Sequence, residues 1–471
     1  MTQPIVAILG AGPAGLGAAW QLARQGKATP MVLEQRDDVG GNAGSFEIDS
    51  VPVDYGSHRL HPACDTRILE DLKSLMGENL LVRPRHGRIR LRGRWIHFPL
   101  KSVDLARHLP WSFTFGVARD ALRKAITSNN GQSEPTFASV LQQGLGSTIC
   151  RDFYFPYAEK IWGLAPEEIS PIQAYRRVSA GSLTKMVRKI VRSPASKTLA
   201  GTHFYYPSDG YGQISRAVAT AAVDSGVELR LNTAVRQIEL GDPHRIHVEH
   251  NGSRSTVEAD YVWSTVPIAV LTKLVSPSPP AAVRDASAHI ESRSMILIYL
   301  LLDQNQFTPF DAHYFPGSDV ALTRLSEPKN YSGRHEPADR TVLCAELPCA
   351  TGDKHWNMTD ESLAEVVRDA LAQCGLKIRD SVLSTTTRRL THAYPIYRRG
   401  YEVHFEVLDR WASEIDRLLT FGRQGLFVHD NTHHALAMAY AAADCLDRSG
   451  QFCQSRWLNH RNEFEQHVVE D

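Results

Sequence analysis

Ile5-Val-Ala-Ile-Leu9-Gly10-Ala-Gly12-Pro-Ala-Gly15 opens with a continuous apolar run of strand length and ends in three closely spaced glycines. Beyond Gly15, Leu16, Ala18, Ala19, Leu22 and Ala23 recur at helical spacing up to Gly26, so the pattern predicts strand, tight turn and helix. A second apolar strand, Met31-Val-Leu33, ends at Glu34, nineteen residues past Gly15. That is close to the ~20 separating a Gly-rich turn from the ribose-binding acid in dinucleotide-binding βαβ units. Gly10 permits the sharp turn, Gly12 lets backbone N–H groups approach a pyrophosphate, and Gly15 brings helix against strand; the helix N-terminus adds partial positive charge. Glu34 is placed to accept hydrogen bonds from ribose hydroxyls. The turn alone is a weak signal, since a Gly-rich turn need hold no ligand; strand, helix and acid together favour dinucleotide binding.

Composition sets the outer limits. A chain of 471 residues, 42% apolar and 22% charged, is ordinary globular protein of two or three domains. Lys plus Arg and Asp plus Glu both number 52, and the pI is 7.3, so no global field draws in nucleic acid or an anionic membrane. Any anion site must be local. The longest apolar run, Met295-Ile-Leu-Ile-Tyr-Leu-Leu-Leu302, reads as a buried strand, well short of the ~18 residues of a membrane span. Met1-Thr-Gln-Pro-Ile-Val lacks a basic signal-peptide start, so the expected compartment is the cytoplasm. Seven scattered cysteines contain no CxxC pair and read as reduced thiols, mostly core. No metal is expected: His433-His434 begins the last helical pattern, adjacent side chains on a helix point apart, and capping or cofactor contact is the simpler role.

After Glu34 the chain continues Gln-Arg-Asp-Asp-Val-Gly40-Gly41-Asn42-Ala-Gly44-Ser45, which resembles the extended fingerprint of FAD-binding proteins. Val53-Asp-Tyr-Gly56-Ser-His58-Arg-Leu-His61 is similar to the Tyr-Gly-Pro-His-x-x-His segment of bacterial UDP-galactopyranose mutases. Three further blocks resemble that family in the same order. They are Gly93-Arg-Trp-Ile-His97-Phe-Pro99-Leu100; Phe153-Tyr-Phe-Pro-Tyr157-Ala-Glu-Lys160-Ile-Trp162-Gly163 with Arg176 and Arg177; and Phe421-Gly422-Arg423-Gln-Gly425 with Asp430-Asn431-Thr-His433-His434. The same blocks also resemble protoporphyrinogen-oxidase-like and amine-oxidase-like FAD proteins, closest at Leu81-Val-Arg83-Pro-Arg85, at Ala393-Tyr394-Pro395 and at Arg324 ahead of Asn330-Tyr331-Ser332.

The resemblance implies an α/β fold: a Rossmann-type, glutathione-reductase-like FAD-binding domain with an inserted helical and β-rich substrate domain. It implies FAD held by Gly10, Gly12, Gly15, Glu34, Gly40, Gly41, Asn42, position 234 (Ala234, beside Val235), Gly422 and Asn431. His58 and His61 would set the site around the flavin N5, Arg324 and Arg423 would clamp a diphosphate, and Tyr157, Trp162, Arg176 and Tyr394 would hold substrate. The chain departs from the mutase pattern at Phe427, Val428 and His429, where bacterial members carry two tyrosines on the diphosphate. Each lost hydroxyl donor costs about 1–3 kcal/mol, which points to another substrate or another grip.

The FAD-binding part should be discontinuous, comprising 1–70, 205–290 and 418–447. Residues 71–204 read as a mainly helical insertion, 291–417 as a strand-rich substrate domain, and 448–471 as a charged tail forming a solvated helix. The run Arg83, Arg85, Arg88, Arg90, Arg92 and Arg94 turns at Arg92-Gly93 and reads as a solvated hairpin edge in preference to a substrate-anion site.

Two chemistries suit this scaffold. The first is mutase-like flavin N5 chemistry on a sugar nucleotide or glycan precursor, with a reductant such as NAD(P)H as a partner. The alternative is an oxidase or dehydrogenase that removes a hydride from a small molecule. A non-catalytic FAD-binding scaffold ranks last, because the arginines and histidines would have no task. No nucleic-acid partner and no transmembrane segment are expected.

Overall fold

The structure, a computed structural model, describes residues 3–100, 104, 107–126, 134–177, 203–379 and 381–468. Ile5–Leu9 is the middle strand of a five-stranded parallel sheet in the order Leu418–Thr420, Tyr261–Ser264, Ile5–Leu9, Thr29–Leu33, Glu228–Arg230. The strand is apolar throughout because both faces are covered. Val6 and Ile8 pack with Leu16, Ala19 and Met438 from two helices, while Ala7 and Leu9 pack with Ile238, Ile246 and Leu271 behind a four-stranded sheet. The helix Pro13–Arg24 follows at once, and it can sit so close only because residue 15 is glycine. A Cβ there would lie 2.0 Å from the Gly10 carbonyl oxygen. The sheet order reverses at Ile5–Leu9, which leaves a crevice at the strand C-termini where ligands of open α/β sheets bind.

A second sheet has seven strands, in the order Val382–Pro395, Ser292–Leu302, Thr341–Cys349, Arg324–Ser326, Ala312–Tyr314, Gly87–Leu91, Arg94–Phe98. Ser292–Leu302 contains the long apolar run and is buried on both faces. Ile296, Ile298 and Leu300 meet Leu363 and Val367 of the helix Asp360–Gln373, while Leu297, Tyr299 and Leu301 meet Val51 and Val53. The hairpin 87–98 belongs to this sheet rather than to a helical insertion, because Ala312–Tyr314 offers it a free edge and lets Ile89, Leu91 and Ile96 be buried. The helices Trp111–Ile126, Phe137–Leu145, Phe155–Trp162 and Pro171–Arg177 follow it. Residues 178–202 of the expected insertion, and the Arg177 side chain, lie outside the described residues.

The arginine run lies at the edge of the sheet as expected, with Arg92 and Arg94 exposed, but it is solvated only in part. The Arg88 guanidinium lies over Trp95 at 4.3 Å and Phe310 at 4.5 Å, and burial lowers its pKa to about 10. Arg90 pairs with Asp319, and Arg92 with Asp152 at 2.7 Å. These side chains are engaged by the loop before Arg324–Ser326 and by the helical insertion, neighbours that the local alternation of residues does not reveal.

Asp54, 2% exposed, joins the strand Ser292–Leu302 of the seven-stranded sheet to the segments around Ser45 and Tyr206–Tyr211. Its Oδ1 accepts from the Ser45 hydroxyl at 2.6 Å and the Tyr211 N–H at 2.8 Å, and its Oδ2 accepts from the Tyr206 hydroxyl at 2.6 Å. Its carbonyl accepts from the Tyr299 hydroxyl at 2.6 Å. Burial raises the carboxyl pKa against the pull of these donors.

The tail forms the expected helix, exposed over most of its residues, but one face is docked. In Gln454–Phe464, Trp457 and Phe464 stand two turns apart on one face and are buried in the main core, at 2% and 6% exposure. Beyond it, His467 Nδ1 meets Asp430 at 2.8 Å and its ring stacks on His434 at 4.1 Å. His433 and His434 do not point apart: their ring centroids are 4.0 Å from each other, because His434 folds back to accept the Asn431 N–H at 3.2 Å and cap its own helix.

Asp54→Ala would leave three buried donors without an acceptor and should cost about 3 kcal/mol or more of unfolding free energy, read from urea melts. A second expectation concerns acid. Burial first, then His61 and His467, push His433 down to about 4, and burial lowers His434 as well. The folded state therefore keeps neutral imidazoles that the unfolded chain protonates near pH 6.5. Stability should be complete above pH 6.5 and fall as the pH drops from there toward 4, and a His433→Phe variant should show a flatter dependence of Tm on pH. An equally steep profile in that variant would remove His433 from the acid response.

Candidate active site

Three segments converge at the crevice: the turn after Ile5–Leu9, the acid ending Thr29–Leu33, and Thr265–Pro267 after Tyr261–Ser264. Glu34 is buried, and its Oε2 accepts from the Ala11 N–H at 2.8 Å and its Oε1 from the Arg36 N–H at 2.9 Å. The helix Pro13–Arg24 has Gly12 at its N-cap, no side-chain cap and no acid in its first turn. A Cβ at Gly12 would meet nothing within 4 Å, so the helix N-terminus faces open space in the cavity. Uncapped N–H donors there, with Glu34 beyond, fit a dinucleotide pyrophosphate and ribose. Gly10, Gly40, Gly41 and Asn42 line the same cavity, and Asn42 is anchored by its Nδ2 donating to the His392 carbonyl at 3.0 Å. Asn431, at the N-cap of Thr432–Cys445, lines it from the other side. Gly15 and Gly422 pack behind the wall against Gly10 and Ala14, and Ala234 lies in Thr233–Glu239, paired with Glu249.

His58, His61, Arg59, Arg85, Tyr314, Arg324, Arg423 and Gln424 also line the cavity. His58 Nε2 is 2.9 Å from the Tyr55 carbonyl, and its ring stacks on Tyr211 at 5.3 Å. Burial holds this imidazole below its ordinary pKa, opposed by nearby Asp54. His61 Nδ1 accepts from the Ala63 N–H at 3.1 Å, which orients its ring 6.3 Å from His433. Arg324 Nε and Nη2 both donate to Glu346 Oε1, at 2.9 and 2.8 Å, and the same oxygen accepts from the Ser57 N–H at 2.9 Å. Arg423 Nη2 donates to the Ala393 carbonyl at 2.8 Å, with its guanidinium over Tyr394 at 5.3 Å.

The expected substrate residues gather beside this cavity, behind its wall. Trp162, 4% exposed, packs edge-on against Phe137 and His429, and Tyr157 joins the same apolar cluster. Tyr394 stacks on His429 at 6.1 Å, and Arg176 Nη1 stands 4.0 Å from Asp430. Arg59 was missed, although it sits between the two quoted histidines. It donates to Tyr314 at 3.1 Å and to Asp311 at 3.1 Å. Arg36, Arg389 and His392 also line the cavity. Arg36 stands two residues past Glu34, whereas His392 enters through its carbonyl, which has no sequence signature. Asp430, His434 and His467 bring one ligand-type atom each within 4.8 Å of one another. The rings of His434 and His467 are only 15° from parallel, so their in-plane lone pairs do not converge as metal coordination requires.

The model of the flavin-containing amine oxidoreductase family matches residues 13–440. A putative flavin-containing monoamine oxidase, AofH, from Mycobacterium tuberculosis (strains CDC 1551 and H37Rv) is 29% identical over 291 residues, 58% of this chain and 60% of that protein. The chain thus spans about 60% of the length of the curated relatives it matches. Among solved structures, a reduced UDP-galactopyranose mutase superposes with a TM-score of 0.83 at 20% identity, covering 99% of this chain and 100% of that one. A putative protoporphyrinogen oxidase from Exiguobacterium sp. 255-15 gives 0.71 at 18% identity, and putrescine oxidase bound to putrescine 0.65 at 19%, each covering 94% of this chain and 98% of the other. At these identities the structural likenesses speak for the shared α/β FAD-binding fold. With the family model matching almost from end to end, the chain belongs to the flavin-containing amine oxidoreductases, and its cofactor is FAD.

Proposed function

We propose that the enzyme acts on an anionic small molecule, with a nucleotide sugar or related glycan precursor as first choice, through flavin chemistry of the UDP-galactopyranose-mutase type. The observation that carries this reading is the charge of the cavity wall. Six arginines, Arg36, Arg59, Arg85, Arg324, Arg389 and Arg423, line it against two carboxylates, Glu34 and Asp430. Every carboxylate in or just behind the wall is engaged: Glu34 by backbone N–H groups, Asp430 by His467, Asp311 by Arg59 and Glu346 by Arg324. Among the described residues the wall carboxylate oxygen without a hydrogen bond is Asp430 Oδ1, and it stands 4.0 Å from Arg176 Nη1, which disfavours an alkylammonium there. An anion is favoured, after the cofactor diphosphate has taken its share of the positive charge.

When bound, FAD in its reduced form would supply a nucleophilic flavin, and a reductant such as NAD(P)H would bring it to that state. The chain's own residues bind and orient. Arg324, held by Glu346, and Arg423, held by Ala393, present fixed donors to a leaving anion. His58, kept neutral by burial, offers a ring locked through Tyr55 and Tyr211 beside the reacting end. Glu34 takes the adenosine ribose.

A second reading, hydride removal from an anionic substrate, is favoured by three observations. Trp162 is buried in the core, Arg324 is half neutralised by Glu346, and Phe427 and Val428 supply no hydroxyl. The purified enzyme, reduced with dithionite and incubated with UDP- and TDP-hexoses plus cyanoborohydride, separates the two. A hexose mass on the flavin is expected. With a mutase control positive, a bare flavin for every sugar nucleotide would transfer the assignment to the oxidative reading. Glu34→Ala should weaken FAD binding by roughly ten- to a hundredfold, as loss of a charged hydrogen-bond acceptor does, and full flavin retention after long dialysis would contradict the ribose role.

A further inference from the structure

The stretch Phe427-Val428-His429, where the mutase pattern has two tyrosines, supplies no phenol, and Phe427 and Val428 are buried. A phenol enters the cavity from a different element. Tyr314 ends the strand Ala312–Tyr314 of the seven-stranded sheet and lines the cavity. In the antiparallel pair with Arg324–Ser326 it stands directly opposite Arg324. Directly opposed residues carry their side chains on one face of a sheet, and the Arg324 guanidinium lies 5.9 Å from the centre of the Tyr314 ring. The ring is held edge-on to Phe98 at 5.5 Å and packs on the apolar cluster of Ile89, Leu91 and Ile96.

Hydrogen-bond valence limits what the hydroxyl does. A phenol has one proton to donate and lone pairs with which to accept. The Tyr314 oxygen accepts from Arg59 Nη1 at 3.1 Å, and Arg59 is itself fixed by Asp311 at 3.1 Å. A guanidinium has donors and no acceptor, so neither Arg59 nor Arg324 takes the phenol proton. No other group among the described residues takes it. The neighbouring Arg324 ties its Nε and Nη2 to Glu346 and keeps Nη1 outside that pair.

We infer that Tyr314 is the hydroxyl donor of the substrate site: its O–H meets a phosphate oxygen of the anion held by Arg324, in place of the phenols absent from 427–429. This rests on the nucleotide-sugar reading and adds a residue to it. A guanidinium and a hydroxyl on one sheet face offer an oxyanion two donors, and a hydrogen bond to an ionised acceptor is the stronger kind. Arg59 is a positioning residue in this arrangement. By occupying the phenol oxygen it turns the proton away from itself, and by polarising the O–H it strengthens the bond that the proton makes. An ammonium group in the same place would meet two guanidinium groups and a donor proton.

Calorimetric titration of the FAD-loaded enzyme with UDP tests the assignment. Tyr314→Phe keeps the ring and its packing and should weaken UDP binding roughly ten- to a hundredfold, the range for a lost hydrogen bond to a charged group, with flavin content and Tm unchanged. Tyr331→Phe controls for the Arg59 network, because the Tyr331 hydroxyl is 3.5 Å from Arg59 Nη2 while its side chain is buried outside the cavity wall; this variant should bind UDP as wild type. An equal loss in both variants would trace the effect to a disturbed Arg59 and remove Tyr314 as the donor. Wild-type affinity in Tyr314→Phe, with affinity lost in Arg324→Gln, would overturn the Tyr314 role and leave the nucleotide-sugar reading standing. No binding of UDP by the wild-type holoenzyme would overturn both.

Discussion

The rest of the molecule hangs on a buried carboxylate. Asp54 ends one strand of a small hairpin and collects hydrogen bonds from Ser45, Tyr206 and Tyr211, while its own carbonyl holds Tyr299. These partners come from three parts of the chain, the nearest two 88 residues apart, and from both sides of the boundary between the dinucleotide-binding layers and the seven-stranded sheet. The next residues are Tyr55, Gly56, Ser57 and His58, so the same knot sets where the histidine segment enters the cavity. A buried carboxyl is costly unless its oxygens are satisfied. Here three donors satisfy them, and that cost makes any other arrangement of the three segments unfavourable.

A second constraint is electrostatic. The cavity concentrates arginines, yet few of them are bare charges. Glu346 holds Arg324, Asp311 holds Arg59, and a carbonyl holds Arg423. Such pairing reduces the net attraction for an anion and increases rigidity, since each guanidinium is fixed before a ligand arrives. The wall is thus suited to orienting an anionic group more than to gripping a highly charged one with full force. Its chemistry differs from what the shared fold alone conveys, because sites with different charge can be built on one scaffold.

Particular residues show how far the chain could be read without its fold. Gly10, Gly12 and Glu34 were legible because strand, turn, helix and acid lie within one continuous stretch, where spacing is geometry. Trp162 and Tyr157 were harder: aromatic residues at helical spacing look alike whether they face a ligand or a core, and Trp162 is packed against Phe137 and His429. In the tail the charges outnumber the two aromatic residues and keep most of the helix in solvent, while Trp457 and Phe464 share one face and draw that face into the core. His433 and His434 were judged by ideal helix geometry, which fails in a first turn where one ring folds back as a cap.

By itself the sequence determined the dinucleotide-binding unit, the buried central strand Ser292–Leu302 and the cofactor class, because each is encoded by local periodicity or by a motif whose parts are covalently close. Only the tertiary structure decided which arginines line the cavity and which are tied to carboxylates or aromatic rings. It also decided that strand 87–91 joins the larger sheet and that His467 returns to Asp430. Those outcomes depend on contacts between distant segments, and a guanidinium carries the same sequence letter whether its partner is a phosphate, a glutamate or a tryptophan face.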